Sequence, residues 1–292
     1  MWTLWILSSA VFLALYDLAK KASVRENAVL PVLLVSSAFG TAAYLAALGL
    51  SGKMAAVVAA STGRAVALAG IKTLIVSTSW ILTYCALRTL PITIATPIRA
   101  SAPAVVLLLA VFLYGERPAP LQGAGMLLVF AGYWAFSWAG RHEGIDFLRN
   151  RAVWYALGGM CCSAVSSLWD KYVLQVQAVP VELMQLWFQL GLVAVYALLA
   201  ALDRTLRLDG TPFRWRWSIP AVGVLLAFAD WLYFHGLAIP GVPISVGSLM
   251  RRFSVVITFL LGARVFHESN LRRKGIALAA VLAGIALMAL AS

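Results

Sequence analysis

Two stretches of the sequence carry hydroxyl side chains at intervals of three residues before an arginine. The first contains Thr93, Thr96 and Arg99, and the second contains Ser245, Ser248 and Arg251. Residues three apart on a helix lie near one another on a slowly drifting face, so each guanidinium would have hydroxyl donors within two turns. A planar guanidinium beside neutral donors suits phosphate or carboxylate oxygens. We therefore expect both stretches, together with the adjacent Arg252, to bind an anionic group.

Both stretches lie inside segments that are almost entirely apolar. The chain has 292 residues, of which 62% are hydrophobic and 12% are charged, whereas about a quarter of the residues in a soluble domain are charged. Apolar runs of about twenty residues, the length that crosses a bilayer, recur along the chain. This composition argues against a soluble enzyme, a nucleic-acid-binding module and a disordered chain. It predicts an all-α polytopic membrane protein in contact with the lipid bilayer.

Hydropathy predicts ten transmembrane helices. Their bounds are Trp2–Lys21, Val29–Leu50, Ala65–Leu87, Ile92–Tyr114, Leu121–Ala139, Val153–Leu174, Val181–Leu202, Trp217–Leu237, Ile244–Phe266 and Gly275–Leu290. The connectors between them are short and polar, and the longest are Ser51–Arg64, Arg141–Arg151 and Asp203–Arg216. Because no folded domain fits into such connectors, we expect the function to be carried out within the membrane.

The two halves of the sequence resemble each other at an offset of 152 residues. This offset aligns Pro91 with Pro243, Arg99 with Arg251, Glu116 with Glu268, Gly123 with Gly275 and Gly132 with Gly284. The alignment predicts one five-helix repeat at residues 1–140, a connector at 141–151 and a second repeat at 152–292. Because five is an odd number of crossings, the second repeat would be inverted in the bilayer, as in many secondary transporters. Inversion would bring the two arginine stretches face to face across a central cavity.

Inside the predicted spans, positively charged side chains outnumber negatively charged ones. The cations are Lys72, Arg99, Lys171, Arg251 and Arg252, and the acids are Asp17, Asp170 and Asp230. A charge at the centre of a membrane helix costs about 2.5–3.5 kcal/mol, so each needs a partner or a water-filled cavity. Lys20 lies close enough in sequence to neutralise Asp17, and Lys171 close enough to neutralise Asp170, or these lysines could extend towards the membrane interface. Two interpretations stay open, since the arginines could pair with aspartates and hold the bundle together, or an anionic cargo could neutralise the surplus. The aspartates could likewise serve as ion-pair partners or carry coupling protons.

Two tryptophans are further candidates for contact with a cargo. Trp80 and Trp231 lie in the middle of their predicted spans. Most membrane Trp and Tyr residues lie instead at the bilayer interface, so a tryptophan at mid-depth is a candidate for the wall of a cavity.

Basic residues outside the spans predict the orientation of the chain, whose net charge is +12. Of the 23 Lys and Arg residues, five lie well inside the predicted spans and three, Lys53, Arg64 and Arg117, lie in connectors on one side. Lys20, Lys21 and Arg264, at the ends of their spans, are counted with the connectors that follow them. The remaining fifteen lie on the other side, which the positive-inside rule assigns to the cytoplasm. Both termini are then expected outside the cytoplasm. Membrane topology thus accounts for the excess of cations, and no nucleic-acid partner is expected.

The sequence contains no motif for a metal ion or a nucleotide cofactor. Cys85, Cys161 and Cys162 form no CxxC or Cys/His ligand pattern, and a zinc site needs such spacing. No Walker-type phosphate loop is present for the use of ATP. We therefore expect no cofactor, no enzymatic activity and a supply of energy from antiport or a proton gradient. Two halves within one chain also predict a functional monomer.

Two loop motifs carry a resemblance to a known family. GERPAPLQG at 115–123 and HESNLRRKG at 267–275, with the ten predicted helices, resemble the EamA-type branch of the drug/metabolite transporter superfamily. The resemblance implies a transporter in a bacterial cytoplasmic membrane, and members export amino acids, drugs and other metabolites. In phosphate-translocator relatives, cations on the fourth and ninth helices hold the substrate phosphate, which implies that role for Arg99, Arg251 and Arg252. The orientation differs, because EamA-type members usually keep both termini in the cytoplasm.

The function expected from these observations is secondary active transport of a small anionic organic metabolite by alternating access. Two alternatives stay open. One is a flippase or a lipid-modifying membrane protein that handles an anionic lipid head group with the same arginines. The other is a general exporter of amino acids or drugs.

Overall fold

In the computed structural model, the described residues are 2–102, 104–105, 119–141, 145–206, 210–237 and 251–290. All of their regular secondary structure is helical, in eleven α-helices. These are α1 (Trp2–Val24), α2 (Val29–Leu50), α3 (Met54–Ala59), α4 (Gly63–Thr89), α5 (Ile92–Ala100), α6 (Pro120–Arg141), α7 (Arg151–Lys171), α8 (Val181–Leu206), α9 (Ser218–Leu237), α10 (Phe253–Val265) and α11 (Leu271–Leu290). A π-helical turn, Tyr172–Val176, continues α7.

Five helices in the described part of the chain are long and apolar enough to cross a membrane. The qualifying segments are Thr3–Val24, Val29–Leu50, Gly63–Thr89, Arg151–Asp170 and Val181–Asp203. Two shorter apolar helical segments, Ser218–Tyr233 and Phe253–Val265, accompany them. The chain is therefore an all-helical polytopic membrane protein. Span four was predicted to continue to Tyr114 and span nine to begin at Ile244, and these bounds lie outside the described residues.

One of the predicted connectors contains a short helix. Residues Ser51–Arg64 contain α3, which the sequence analysis missed because six residues are too few to produce a hydropathy signal. The helix forms because Val57 is buried against Leu183 and Leu186 at the start of α8. Tertiary packing thus stabilises a helix that would not persist by itself in water.

The corner between α4 and α5 is held by two charged side chains from distant parts of the chain. Lys21 of α1 donates hydrogen bonds to the backbone oxygens of Leu87 (2.6 Å) and Leu90 at the end of α4. Glu268, between α10 and α11, accepts hydrogen bonds from the backbone N–H groups of Ile92 (2.6 Å) and Thr93 (3.1 Å) at the start of α5. Helix ends leave such groups without intrahelical partners, and each charge has the sign that its helix end favours. These contacts determine where α5 begins.

The helices pack in pairs that determine the architecture. The most extensive pairings are α6 with α11, α1 with α9 and α4 with α7. Behind them, α2 packs on α8 and α9, α4 packs on α8, and α10 packs on α1 and α5. Large apolar side chains such as Leu74 and Trp134 remain more than half exposed on the outer surface, as expected for a surface that faces lipid.

Helices α6 and α11 approach so closely that their backbones touch. A Cβ atom on Gly125 would lie 2.6 Å from the backbone oxygen of Gly284, and one on Gly284 would lie 2.5 Å from that of Gly125. Seven residues further along α6, Gly132 would place a Cβ atom 3.0 Å from the backbone oxygen of Ala277. Small residues allow this approach, which supplies the van der Waals contact that holds membrane helices together.

Candidate functional site: an arginine-lined cavity

Three arginine side chains line one cavity of about 310 Å³. They are Arg99 of α5, and Arg251 and Arg252 at the start of α10. The rest of the lining comes from α1, α7, α9 and the neighbouring turns of α5 and α10, through Leu13, Ala100, Ala102, Ser163, Ser167, Tyr233, Ser254 and Val255. The arginines of the two sequence stretches are therefore brought together, although 152 residues separate Arg99 from Arg251.

Helix ends meet at this cavity. Helix α5 ends at Ala100, directly after Arg99, and α10 begins at Phe253, directly after Arg252. In the last turn of α5 the oxygen of Ile98 accepts hydrogen bonds from the hydroxyls of Ser101 (2.7 Å) and Tyr133 (3.1 Å). The start of α10 adds the partial positive charge of a helix N-terminus to this side of the cavity.

Arg99 is paired with a buried carboxylate. Its guanidinium donates a hydrogen bond to Asp17 of α1, and Asp17 also forms an ion pair with Lys20 at 3.1 Å. The side chains of Asp17 and Lys20 are only 2% exposed, and the Lys20 ammonium lies 4.5 Å from the centre of the Tyr16 ring. One carboxylate thus serves two cations, so the cluster retains one positive charge.

Arg251 is held by an aspartate and an aromatic ring. Its guanidinium donates a hydrogen bond to Asp230 of α9 and lies 4.3 Å from the centre of the Tyr233 ring. Its Nε atom is buried and makes no hydrogen bond. This guanidinium therefore keeps a donor group that a further acceptor in the cavity could use.

Arg252 differs from the other two arginines because its hydrogen bond goes to the backbone. Its Nη1 atom donates to the oxygen of Ala100 at 2.6 Å. Among the residues that the structure describes, no carboxylate lies within 4.0 Å of it. The carbonyl group of Ala100 accepts one hydrogen bond from the Arg252 guanidinium, but it is neutral and does not compensate the positive charge. The surplus of positive charge seen in the sequence is thus concentrated at this residue and at the cluster around Arg99.

The third intramembrane aspartate pairs elsewhere. Asp170 of α7 forms an ion pair with Lys72 of α4 at 2.7 Å, and the Lys72 ammonium also lies 4.8 Å from the centre of the Phe188 ring. Neither residue lines the arginine cavity. The side chain of Lys171, the sequence neighbour of Asp170, is outside the described part of the structure. Among the described residues the partner of Asp170 is Lys72, which the packing of α4 on α7 brings close.

The predicted hydroxyl stripe of α5 does not line the cavity. The buried hydroxyl of Thr93 donates to Glu268, and neither Thr93 nor Thr96 belongs to the lining. With 3.6 residues per turn, Thr93 lies about 120° around the helix from Arg99. Trp80 and Trp231 are also absent from the lining, and Ser245 and Ser248 lie outside the described residues. The observed hydroxyls are instead those of Ser163, Ser167 and Ser254, whose small polar side chains carry no distinctive signal in the sequence.

A second cavity of about 670 Å³ lies between α2, α8 and α9. Its lining is mostly apolar and includes Phe228 and Trp231, whose rings stack at 5.7 Å, and the carboxylates of Glu182 and Asp230. The Asp230 carboxylate also binds Arg251, which lines the first cavity. The Asp230–Arg251 pair is thus shared by the walls of both cavities.

The same fold occurs among experimentally solved proteins. A crystal structure is similar to this chain with a TM-score of 0.62 and 24% sequence identity, over 97% of this chain and 94% of the other. Fifteen solved chains show a significant similarity. At this level of identity the likeness concerns the fold alone. No curated protein matches the sequence significantly.

A family model provides the assignment. Residues 1–138 match the model of the EamA-like transporter family, which confirms the resemblance inferred from the GERPAPLQG motif and the helix pattern for this part of the chain. The matched region includes Asp17 of α1 and Arg99 of α5. The chain is therefore a polytopic membrane protein whose residues 1–138 form a domain of the EamA-like transporter family, which belongs to the drug/metabolite transporters.

Proposed function

We propose that the protein is a secondary active transporter that moves a small anionic organic metabolite across the membrane by alternating access. Ten transmembrane helices would form two inverted five-helix repeats, 1–140 and 152–292, joined by the connector 141–151. Rocking of the repeats would expose the arginine cavity to each side of the membrane in turn. The protein would act as a monomer, since both repeats belong to one chain.

The helix pairing supports the inverted repeat. An offset of 152 residues converts α1 into α7 and α4 into α9, so the pair α1–α9 corresponds to the pair α7–α4. Both pairs are among the most extensive in the described bundle. The close contacts of α6 with α11 follow the same relation, because the offset converts Gly125 into Ala277 and Gly132 into Gly284. The contact of Gly125 with Gly284 then corresponds to that of Gly132 with Ala277, and both are present.

The observation that carries the proposal is the shared cavity of Arg99, Arg251 and Arg252. Burying a charge without a partner is costly, and Arg252 has only a backbone oxygen as its acceptor in the described part of the structure. An anion bound between the three guanidinium groups would supply the missing charge, with Ser163, Ser167 and Ser254 as additional donors. The volume of about 310 Å³ suits a small ligand.

The intramembrane aspartates suggest how binding could be linked to movement. In the observed state, Asp17 holds Arg99 and Asp230 holds Arg251. An anionic cargo would compete with these carboxylates for the guanidinium groups, and the displaced carboxylates would need new partners or protons. If Arg99 left Asp17, Lys20 could remain as the ion-pair partner of that carboxylate. The ion pair of Lys72 with Asp170 lies outside the cavity. We propose that Asp230 couples cargo binding to the movement of the two halves. The ion pair of Lys72 with Asp170 would only stabilise the packing of α4 on α7.

The charge distribution also supports an orientation. The side that carries fifteen Lys and Arg residues would face the cytoplasm, and both termini would lie on the opposite side. The family assignment supports placement in the cytoplasmic membrane of a bacterium. This orientation would put the corner of α4 and α5, with Lys21 and Glu268, at the cytoplasmic end of the bundle.

One observation favours a second candidate function, export of amino acids or drugs. The larger cavity combines the stacked rings of Phe228 and Trp231 with the carboxylates of Asp230 and Glu182. Aromatic faces and carboxylates attract organic cations. Glu182 is already paired with Lys53 at 3.0 Å, and Asp230 with Arg251, so a cation would have to displace both partners. The arginine cavity therefore makes the anionic cargo the preferred assignment.

A screen followed by a transport assay tests the proposal. Thermal-shift measurements on purified protein with phosphorylated metabolites, organic acids and amino acids would identify a ligand, because stabilisation increases with concentration relative to the dissociation constant. Counterflow of that ligand is then measured in proteoliposomes. We expect Arg252→Gln to lower exchange at least about tenfold, because a charged hydrogen-bonding group is lost. Arg149→Gln, at a 91% exposed position in the central connector, is the control and should exchange normally.

Two results would contradict the assignment. If the Arg99→Ala and Arg251→Ala variants both exchanged an anionic ligand at the full rate, these arginines would not be part of the binding site. Rapid scrambling of labelled anionic lipid that requires Arg252, without exchange of any soluble anion, would instead identify a flippase.

A further inference from the structure

The outer face of the bundle has a groove that the transport proposal does not use. It lies between the end of α10 and the start of α11 and has a volume of about 610 Å³. Its lining is mostly apolar. Arg264 and Arg272 belong to the lining at the end nearest the turn between the two helices, which we call the mouth of the groove. The two helices are consecutive and connected by a short turn, so both arginines lie near the same surface of the membrane.

The shape of the groove depends on a missing side chain. A Cβ atom on Gly275 would have no heavy atom within 4 Å, so open space lies over this position. Ala263 and Phe259 are buried beneath the groove, whereas Leu260 and Ile276 are 59% and 63% exposed at its edges. A flexible apolar chain can therefore lie along the glycine between two apolar ridges.

The two arginines have no ion-pair partner in the part of the chain that the structure describes. Both are exposed, in the last turn of α10 and the first turn of α11, at the mouth of the groove. Guanidinium groups bind phosphate oxygens in a bidentate manner. The mouth of the groove is therefore suited to an anionic phosphate group, whereas its floor is suited to hydrocarbon.

Comparison of the two halves of the sequence distinguishes this groove from its counterpart. At the offset of 152 residues, Gly275 corresponds to Gly123, but Arg264 corresponds to Phe112 and Arg272 to Pro120. The glycine is thus shared, whereas the two cations occur only in the second half. In the proposed orientation this half places them at the cytoplasmic leaflet, where anionic lipids attract basic segments.

We infer that this groove binds one anionic phospholipid from the surrounding bilayer. The phosphate would lie between Arg264 and Arg272, and an acyl chain would lie along Gly275. This inference does not depend on which cargo the arginine cavity binds, because the groove faces lipid and shares no lining residue with that cavity.

Native mass spectrometry of the purified full chain with added phosphatidylglycerol tests the inference. We expect one phosphatidylglycerol to bind at least about tenfold more tightly than phosphatidylcholine, because each surface cation contributes about a fivefold attraction for anionic lipid. Replacement of both arginines, Arg264→Gln with Arg272→Gln, should weaken the binding about thirtyfold. Arg149→Gln with Arg151→Gln removes the same charge from the central connector and should change the binding less than about twofold.

A second variant separates the groove from simple charge attraction. Gly275→Leu keeps both arginines but fills the open space, and we expect it to weaken phosphatidylglycerol binding at least about fivefold, as a groove that excludes the acyl chain loses its buried apolar contact. Normal binding by Gly275→Leu, or equal losses in the two arginine pairs, would overturn the inference. Binding of inorganic phosphate that is as tight as that of phosphatidylglycerol would also overturn it, since the lipid chain would then contribute nothing.

Discussion

Arg252 donates a hydrogen bond to the backbone oxygen of Ala100, the residue that lies 152 positions before it in the chain. The same offset aligns the two halves of the sequence, so this residue contacts its own counterpart. When two halves of a protein are related by a twofold axis, a residue can contact its own counterpart only where that axis passes between the two residues. The arginine cavity therefore lies at the proposed axis, where a bound cargo would remain in contact with both halves if they rock as proposed.

The first prediction concerns the charge of Arg252. Arg252→Lys keeps the positive charge but loses the planar fork, whereas Arg252→Gln loses the charge. We expect the affinity for the anionic ligand to fall about tenfold in the lysine variant and about a hundredfold in the glutamine variant, in line with charged hydrogen bonds worth about 1.5–3 kcal/mol. Titration by thermal shift measures both. An equal, small loss in the two variants would argue that Arg252 only supports the backbone of Ala100.

The second prediction concerns the pair of Asp230 with Arg251. Asp230→Asn removes the carboxylate that competes with an anionic cargo, so we expect tighter ligand binding together with slower exchange. The free energy of unfolding should fall by about 1–3 kcal/mol, less than for a fully buried pair because both side chains are partly exposed. The double variant Asp230→Asn with Arg251→Gln should recover part of that loss, since no unpaired charge remains. Additive losses in a double-mutant cycle would contradict the coupling.

The third prediction separates a structural hydroxyl from a binding one. Thr93→Ala and Glu268→Gln both weaken the hydrogen bonds at the start of α5 and should each lower the stability by about 1 kcal/mol. Their effects should not add, because the two side chains contact each other. Ligand affinity measured under native conditions should stay unchanged in Thr93→Ala. A tenfold loss of ligand affinity in Thr93→Ala would indicate instead that the Thr93 hydroxyl belongs to the binding site.

The fourth prediction tests the contact between α6 and α11. Gly125→Val inserts a side chain where a Cβ atom would lie 2.6 Å from a backbone oxygen, and such overpacking costs about 1–3 kcal/mol or more. Gly123→Ala, two residues earlier on the same helix, meets nothing within 4 Å and should stabilise the helix slightly. Unfolding temperatures in detergent measure both. Equal unfolding temperatures for the two variants would contradict the close approach.

The helix positions and the class of the protein follow from the sequence because hydropathy and helical periodicity are local properties. Most of the apolar helices begin and end within a few residues of the predicted spans. However, α5 ends at Ala100 and α10 begins at Phe253, inside predicted spans four and nine. The short helix α3 is a further exception, because burial of Val57 against α8 stabilises it. The recurrence of an arginine at an offset of 152 residues is also a property of the sequence, and it indicates Arg99 and Arg251.

The partners of those side chains follow only from the tertiary structure. Sequence proximity does not indicate that Lys72 pairs with Asp170, and the packing of α4 on α7 brings the two together. Spacing suggested Thr93 for the cavity, whereas the rotation of α5 turns its hydroxyl towards Glu268. The sequence therefore determines which residues are charged and how deep in the membrane they lie. Which of them meet depends on the crossing and rotation of each helix against its neighbours, and these are set by close contacts such as Gly125 against Gly284, between residues far apart in the chain.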